Sequence, residues 1–114
     1  MKFVYIAGPY SGSYLQQQLN ILKATMAGAY IKEKLGLFPI IPHANSANLD
    51  IDGPKDYDFW VEGYSALIIA LHESGLLEML YVIGDWQMSE GTQKEVELAR
   101  ELGIKIVFEG HEDE

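Results

Sequence analysis

Four short apolar runs, each bounded by glycine or proline and separated by longer stretches of helical periodicity, constrain this chain more than any other feature. "KFVYIA" (Lys2 to Ala7), "LFPII" (Leu37 to Ile41), "MLYVIG" (Met79 to Gly84) and "IKIVF" (Ile104 to Phe108) have the length and residue types of strands. Between the first two, Leu15, Leu19, Leu22, Met26, Tyr30 and Ile31 recur at spacings of three and four, which predicts a long helix terminated at Gly36. A second helix is expected from about Asp58 to Glu73, through the apolar "ALIIALH", and a third from Glu90 to Leu102, ended by Gly103. The order βαβαβαβ calls for a parallel sheet with right-handed crossovers and helices on both faces. Pro39 has no N–H to give to a ladder, so the second strand is expected at an edge.

A chain of 114 residues, 48% of them apolar, is enough for one core and holds no run long enough to span a bilayer. We read residues 1–109 as one domain and residues 110–114 as the end of an acidic, frayed tail. "MKFVYIAG" enters a strand pattern directly, without the features of a signal peptide, and there is no cysteine. A cytoplasmic protein stabilised by packing alone is the expectation. The formal charge of −9, from seventeen acidic and eight basic residues, argues against a nucleic-acid polymer, whose affinity depends on many phosphate contacts. A small anion is still within reach, because backbone N–H groups at a helix start can hold one.

In an open parallel sheet, ligands bind beyond the carboxyl ends of the strands, near the point where strand order reverses. That rule selects "GPYSG" (Gly8 to Gly12), Pro42 and His43 with the long loop to Tyr57, "DWQMSEG" (Asp85 to Gly91), and Glu109 with Gly110. Ser89 suits an N-cap, which leaves Glu90, Gly91 and Thr92 in the first turn. Glu95, one turn beyond Gly91 on the same side, leans toward the helix start and over a position without a side chain. The plainer reading pairs Glu90 with Lys94 and leaves Glu95 on a solvated face. "GPYSG" has neither the three spaced glycines of a dinucleotide site nor the lysine of a P-loop, so no nucleotide cofactor is expected. His43 and the downstream Asp50, Asp52, Asp56 and Asp58 match no metal-binding spacing. Trp60 and Trp86 suit packing and ring stacking equally.

"VYIAGPYSG" and "SEGTQKE", with Asn20 and "PIIPH" as supporting features, resemble the nucleoside 2-deoxyribosyltransferase-like superfamily over nearly the whole length. The resemblance implies a flavodoxin-like, Rossmann-like three-layer fold with a four-stranded parallel sheet. It implies cleavage or exchange of an N-glycosidic bond on a nucleoside or nucleotide, with Glu95 as nucleophile and Tyr5 orienting its carboxylate. A carboxylate suits the chemistry because positive charge builds on the sugar as the bond breaks. Ser89 and Gly91 would bind the 5′ end, and Gly8, Pro9, Tyr10 and Ser11 would line the sugar, with Asn20 and His43 in the substrate site. The proton-delivering aspartate falls among Asp56, Asp58 and Glu62, of which Asp58 is favoured. Phosphate-specific members carry an arginine in the first turn, where this chain has Pro9, Tyr10 and Ser11. A homodimer or higher homo-oligomer is also implied, the apolar second helix offering a contact surface. A non-catalytic nucleotide sensor on the same fold is the alternative. A phosphoribohydrolase of the cytokinin-activating type ranks lower, since its motif carries more glycines and basic residues.

Overall fold

The computed structural model describes residues 1–47, 49 and 57–112. Its elements are β1 (Phe3–Ala7), α1 (Tyr14–Tyr30) with a π-helical turn at Ile31–Leu35, β2 (Phe38–Ile40), a short α2 (Pro42–Ser46), α3 (Tyr57–Glu73), β3 (Leu77–Val82), a 3₁₀ turn at Trp86–Met88, α4 (Glu90–Leu102) and β4 (Ile106–Phe108). The sheet is four-stranded and wholly parallel, in the order β2-β1-β3-β4. This is the expected α/β, flavodoxin-like three-layer architecture, with β2 and its Pro39 at an edge. Helix α2 is an addition to the expected elements. It begins at a proline in the first helical position, where the missing N–H costs nothing, and it turns the start of the long loop into one helical turn.

Strand alternation divides the core. Val4 and Ile6 of β1, with Met79, Tyr81 and Ile83, face α1 through Ala24, Ala27 and Ile31. Tyr5 and Ala7, with Leu80 and Val82, face α3 and α4 through Ile68, Val96 and Ala99. Of the periodic residues that predict this helix, Ile31 is buried and Tyr30 half-buried at its end, but the four before them do not bury it. Asn20, Ala24, Ala27 and Gly28 lie against the sheet, whereas Leu15, Leu19, Leu22 and Met26 point to solvent. Small residues bring α1 close: a Cβ on Gly28 would come within 2.7 Å of the Ile41 side chain.

Gly36 and Gly103 adopt left-handed conformations just past the two helices they were expected to end. In the tail, the Tyr81 hydroxyl donates to Glu112 at 2.6 Å and the His111 N–H donates to the Phe108 carbonyl at 2.9 Å. Among the described residues no helix is long and apolar enough to cross a membrane.

Strand order reverses between β1 and β3, since β1 leads outward to β2 and β3 leads the other way to β4. Here Gly8 lies so close to the end of β3 that a Cβ would clash with the Ile83 side chain. The glycine is required by this packing, and the turn after β1 is thereby held against the carboxyl edge of the sheet.

Candidate active site

A cavity of about 610 Å³ opens at that edge, on the α3 and α4 side, within the size range of small-molecule sites. One wall is the β1 turn, Gly8 to Gly12; another is the start of α4, with Ser89, Gly91 and Glu95; α2 contributes His43 and Ser46. The third wall is aromatic. Tyr57, Trp60 and Tyr64 project from one face of α3, with the Trp60 and Tyr64 rings nearly parallel at 5.9 Å and Tyr64 edge-on to Tyr5 at 6.3 Å.

The chemistry centres on Glu95. Tyr5 is fully buried beneath the sheet edge, and its hydroxyl donates a short hydrogen bond to Glu95 Oε2 across 90 residues of sequence. Glu95 is half-buried, enclosed by protein on one side and open to the cavity on the other. Burial pushes its carboxyl up to about 7, an effect that the Tyr5 hydrogen bond partly offsets. Tyr5 is itself held well above the ordinary tyrosine value, first by burial and then by the Glu95 charge, so it remains a donor throughout the physiological range. Glu95 is therefore not the exposed carboxylate of the plainer reading. The other half of that reading does hold, since Glu90 pairs with Lys94 at 3.4 Å.

Ser89 is the N-cap of α4: its hydroxyl accepts from the Thr92 N–H at 3.3 Å and from the Thr92 hydroxyl at 2.9 Å. The remaining first-turn N–H groups, those of Glu90 and Gly91, are left over by the helical ladder beside the cavity. A Cβ on Gly91 would stand 3.8 Å from the Tyr57 ring, an ordinary contact, so among the described residues no neighbouring atom requires glycine there.

His43 is buried, with Nε2 3.1 Å from the Gly8 carbonyl and 3.0 Å from that of Pro9. Both neighbours are acceptors, which assigns the proton to Nε2 and leaves Nδ1 without a hydrogen-bond partner among the described residues. Burial holds His43 below its ordinary pKa, against the opposing pull of these two carbonyls. The imidazole thus pins the β1 turn. Asn20 pins it from the other side, its Nδ2 donating to the Tyr10 carbonyl at 3.2 Å and its Oδ1 accepting from Gln16 at 3.0 Å. Asn20 does not line the main cavity; it borders a smaller one of about 250 Å³ behind the turn, beside Lys23 and Asp85.

The structure thus gathers Gly8, Pro9, Tyr10, Ser11, His43, Ser89, Gly91 and Glu95 around one cavity, with Tyr5 reaching it through Glu95. It does not bring Asp58 there: that residue is exposed on the first turn of α3 and is not part of the lining. Asp56 lies outside the described residues, as do Asp50 and Asp52. Among the described residues, no group of histidine and carboxylate side chains could hold a metal. Trp86 packs against Phe108 with Arg100 over its ring, a structural role, while Trp60 lines the cavity.

Of the aromatic wall, the sequence pointed to Trp60 as suited to stacking, but Tyr57 and Tyr64 beside it were passed over. The wall's signal was present in the spacing of Tyr57, Trp60 and Tyr64, which recur at three and four residues and so share a helix face. Tyr64 also organises α2: its hydroxyl donates to the Pro42 carbonyl at 2.9 Å and meets Ser46 Oγ in a short hydrogen bond.

No curated protein matches the chain. A family model described as a domain of unknown function, DUF4406, matches residues 2–108, which takes in every strand and helix just described, and the chain therefore belongs to that family.

Proposed function

We propose that this protein cleaves or exchanges the N-glycosidic bond of a 2′-deoxynucleoside, with Glu95 as nucleophile. The observation that carries this reading is the Tyr5–Glu95 pair, a carboxylate fixed by a buried phenol at the side of a cavity with an aromatic wall. In the reaction, a Glu95 oxygen forms a bond to the anomeric carbon while the bond to the base breaks. The electron pair leaves with the base, which takes up a proton from solvent or from an acid. Water or a second base then attacks the same carbon and frees the carboxylate.

The aromatic face of α3 suits a planar base, and the hollow over Gly91, beside the leftover N–H groups of the first turn of α4, suits the sugar. The charge of the lining favours a neutral 5′ hydroxyl over a phosphate. Among the described residues, the lining holds Glu90 and Glu95 and neither lysine nor arginine.

A second reading, a sensor that binds the nucleoside without cleaving it, is favoured by one observation: Asp58 stands outside the lining, so no described aspartate is placed to protonate a departing base. Incubation with a panel of deoxynucleosides and their monophosphates, followed by assay for free base, separates the two. The enzyme reading expects base release that is faster from deoxynucleosides than from monophosphates and abolished in Glu95→Ala. Binding without release supports the sensor, and equal release by wild type and Glu95→Ala rules out the nucleophile assignment.

A further inference from the structure

Helix α1 carries two apolar faces, and only one is used. The small face packs on the sheet. On the opposite face, Leu15, Leu19, Leu22 and Met26 are 68%, 42%, 54% and 64% exposed, the reverse of what a helix on a single core requires. Their spacing, four then three then four residues, is that of a coiled-coil seam, and Ala29, three residues further on, extends it with a small exposed side chain. A contiguous apolar stripe of this kind marks an interaction surface.

Charge identifies the occupant. Every one of the seventeen acidic residues lies at or beyond Glu33, so α1 is free of negative charge in a chain of net charge −9. Two copies of so acidic a protein repel one another across most approaches. They can meet along α1 without opposing carboxylates. A basic partner would find nothing on this helix to attract it, and a membrane surface would call for a basic rim where α1 has the single cation Lys23.

We infer that α1 is the self-association face of this protein, pairing with α1 of a second copy in an antiparallel seam about a two-fold axis. The spacing sets the register. Alternate seam positions face each other in an antiparallel pair, which seats Leu15 on Met26 of the second copy and Leu19 on its Leu22. The same register sets Lys23 against Gln18, so the two lysines do not oppose each other. The face differs from the one suggested by the apolar run in the helix Asp58–Glu73, where Ile68 and the neighbouring Leu67 pack instead into the core between α3 and the sheet.

Sedimentation of wild type and of a Leu19→Glu, Leu22→Glu double variant tests the inference without reference to activity. Wild type is expected as a dimer, and the double variant as a monomer with unchanged circular dichroism and cooperative urea unfolding whose midpoint, unlike that of wild type, does not depend on protein concentration. A wild type that remains monomeric at about 100 µM, or a folded double variant that remains dimeric, overturns it. Because the chain has no cysteine, Leu19→Cys and Leu22→Cys single variants report the register directly. A disulfide-linked dimer that forms on mixing the two, and not in either alone, supports the antiparallel seam. Cross-linking of Leu19→Cys with itself, or none in the mixture, overturns it.

Discussion

Replacing Glu95 by glutamine should stabilise the protein while abolishing the proposed chemistry, and the size of the effect follows from the burial of that carboxyl. Its pKa rises from 4.5 to about 7 in the folded chain, chiefly through burial. The folded state therefore holds this proton more tightly than the unfolded state does. Stability from that proton is fully present below pH 4.5 and is lost as pH rises through 7. The difference of about 2.5 pH units corresponds to roughly 3 kcal/mol at alkaline pH, an upper figure because one side of the carboxyl meets the cavity. Glutamine keeps the shape and can still accept from Tyr5, but it carries no charge to desolvate. Its advantage over wild type should grow from about 1 kcal/mol at pH 5.5 to about 3 kcal/mol at pH 8.5. For a domain of this size, the alkaline value corresponds to a rise in Tm on the order of 10–20 °C. Urea unfolding of both proteins across that pH range is the assay, and taking their difference cancels the other carboxylates. A glutamine variant that is less stable than wild type at pH 8.5, or an advantage that does not grow with pH, would show that Glu95 is not desolvated and that the site has been misread.

Tyr5→Phe removes the one hydrogen bond that lowers the Glu95 pKa, so the pH at which activity reaches half its plateau should move upward; the rate below it should fall about 10- to 100-fold, as expected for a charge-assisted hydrogen bond. Gly91→Ala should leave folding unharmed or improve it by up to about 1 kcal/mol in thermal unfolding, since its Cβ has room. Deoxynucleoside affinity, measured by calorimetry, should nevertheless weaken; an unchanged affinity would remove the sugar from that hollow. His43→Ala should destabilise by roughly 2–4 kcal/mol in urea, through the emptied space and the two carbonyls left without their donor. Because His43 is held below its ordinary 6.5, the stability it contributes is present above that pH and lost as pH falls through its folded value; the alanine variant should lack this acid-side loss.

The fold was readable because each cue was local. Four bounded apolar runs, two glycine terminators and one edge proline each declare themselves within a few residues, and strand-helix alternation leaves few topologies to consider. Which face of α1 would be buried was not readable by the same means. Periodicity reports that a helix has an apolar side, but Ala24, Ala27 and Gly28 register weakly beside Leu15, Leu19 and Met26, and close packing prefers the small set. Helix α2 escaped notice because one turn is too short to show a period. Much of the candidate site lay within the segments selected by the sheet-edge rule. Two exceptions stand out: Asp58 was favoured from the resemblance, by its place near the start of the second helix, and helix geometry turns it outward, whereas Tyr57, Trp60 and Tyr64 share a face that no rule about catalytic residue types would single out.

The hydrogen bond between Tyr5 and Glu95 joins residues far apart in sequence, and strand parity and strand order together account for it. Tyr5 and Ala7 point to one side of β1, and Val4 and Ile6 to the other, so the parity of the strand decides which helices Tyr5 can meet. A strand order that reverses after β1 sends α1 to one face and both α3 and α4 to the other. On α4, Thr92, Val96 and Ala99 define the buried stripe, and Glu95 falls at its edge, near enough to the helix start to reach the sheet's carboxyl end. Moving Tyr5 by one position along β1 would aim it at α1, and moving Glu95 by two would carry it around to solvent. The double variant that exchanges Val4 and Tyr5 should therefore lose base release as fully as Glu95→Ala does, even where thermal unfolding shows it folded. Retention of activity in that variant would mean that the phenol is not what holds the carboxylate in place.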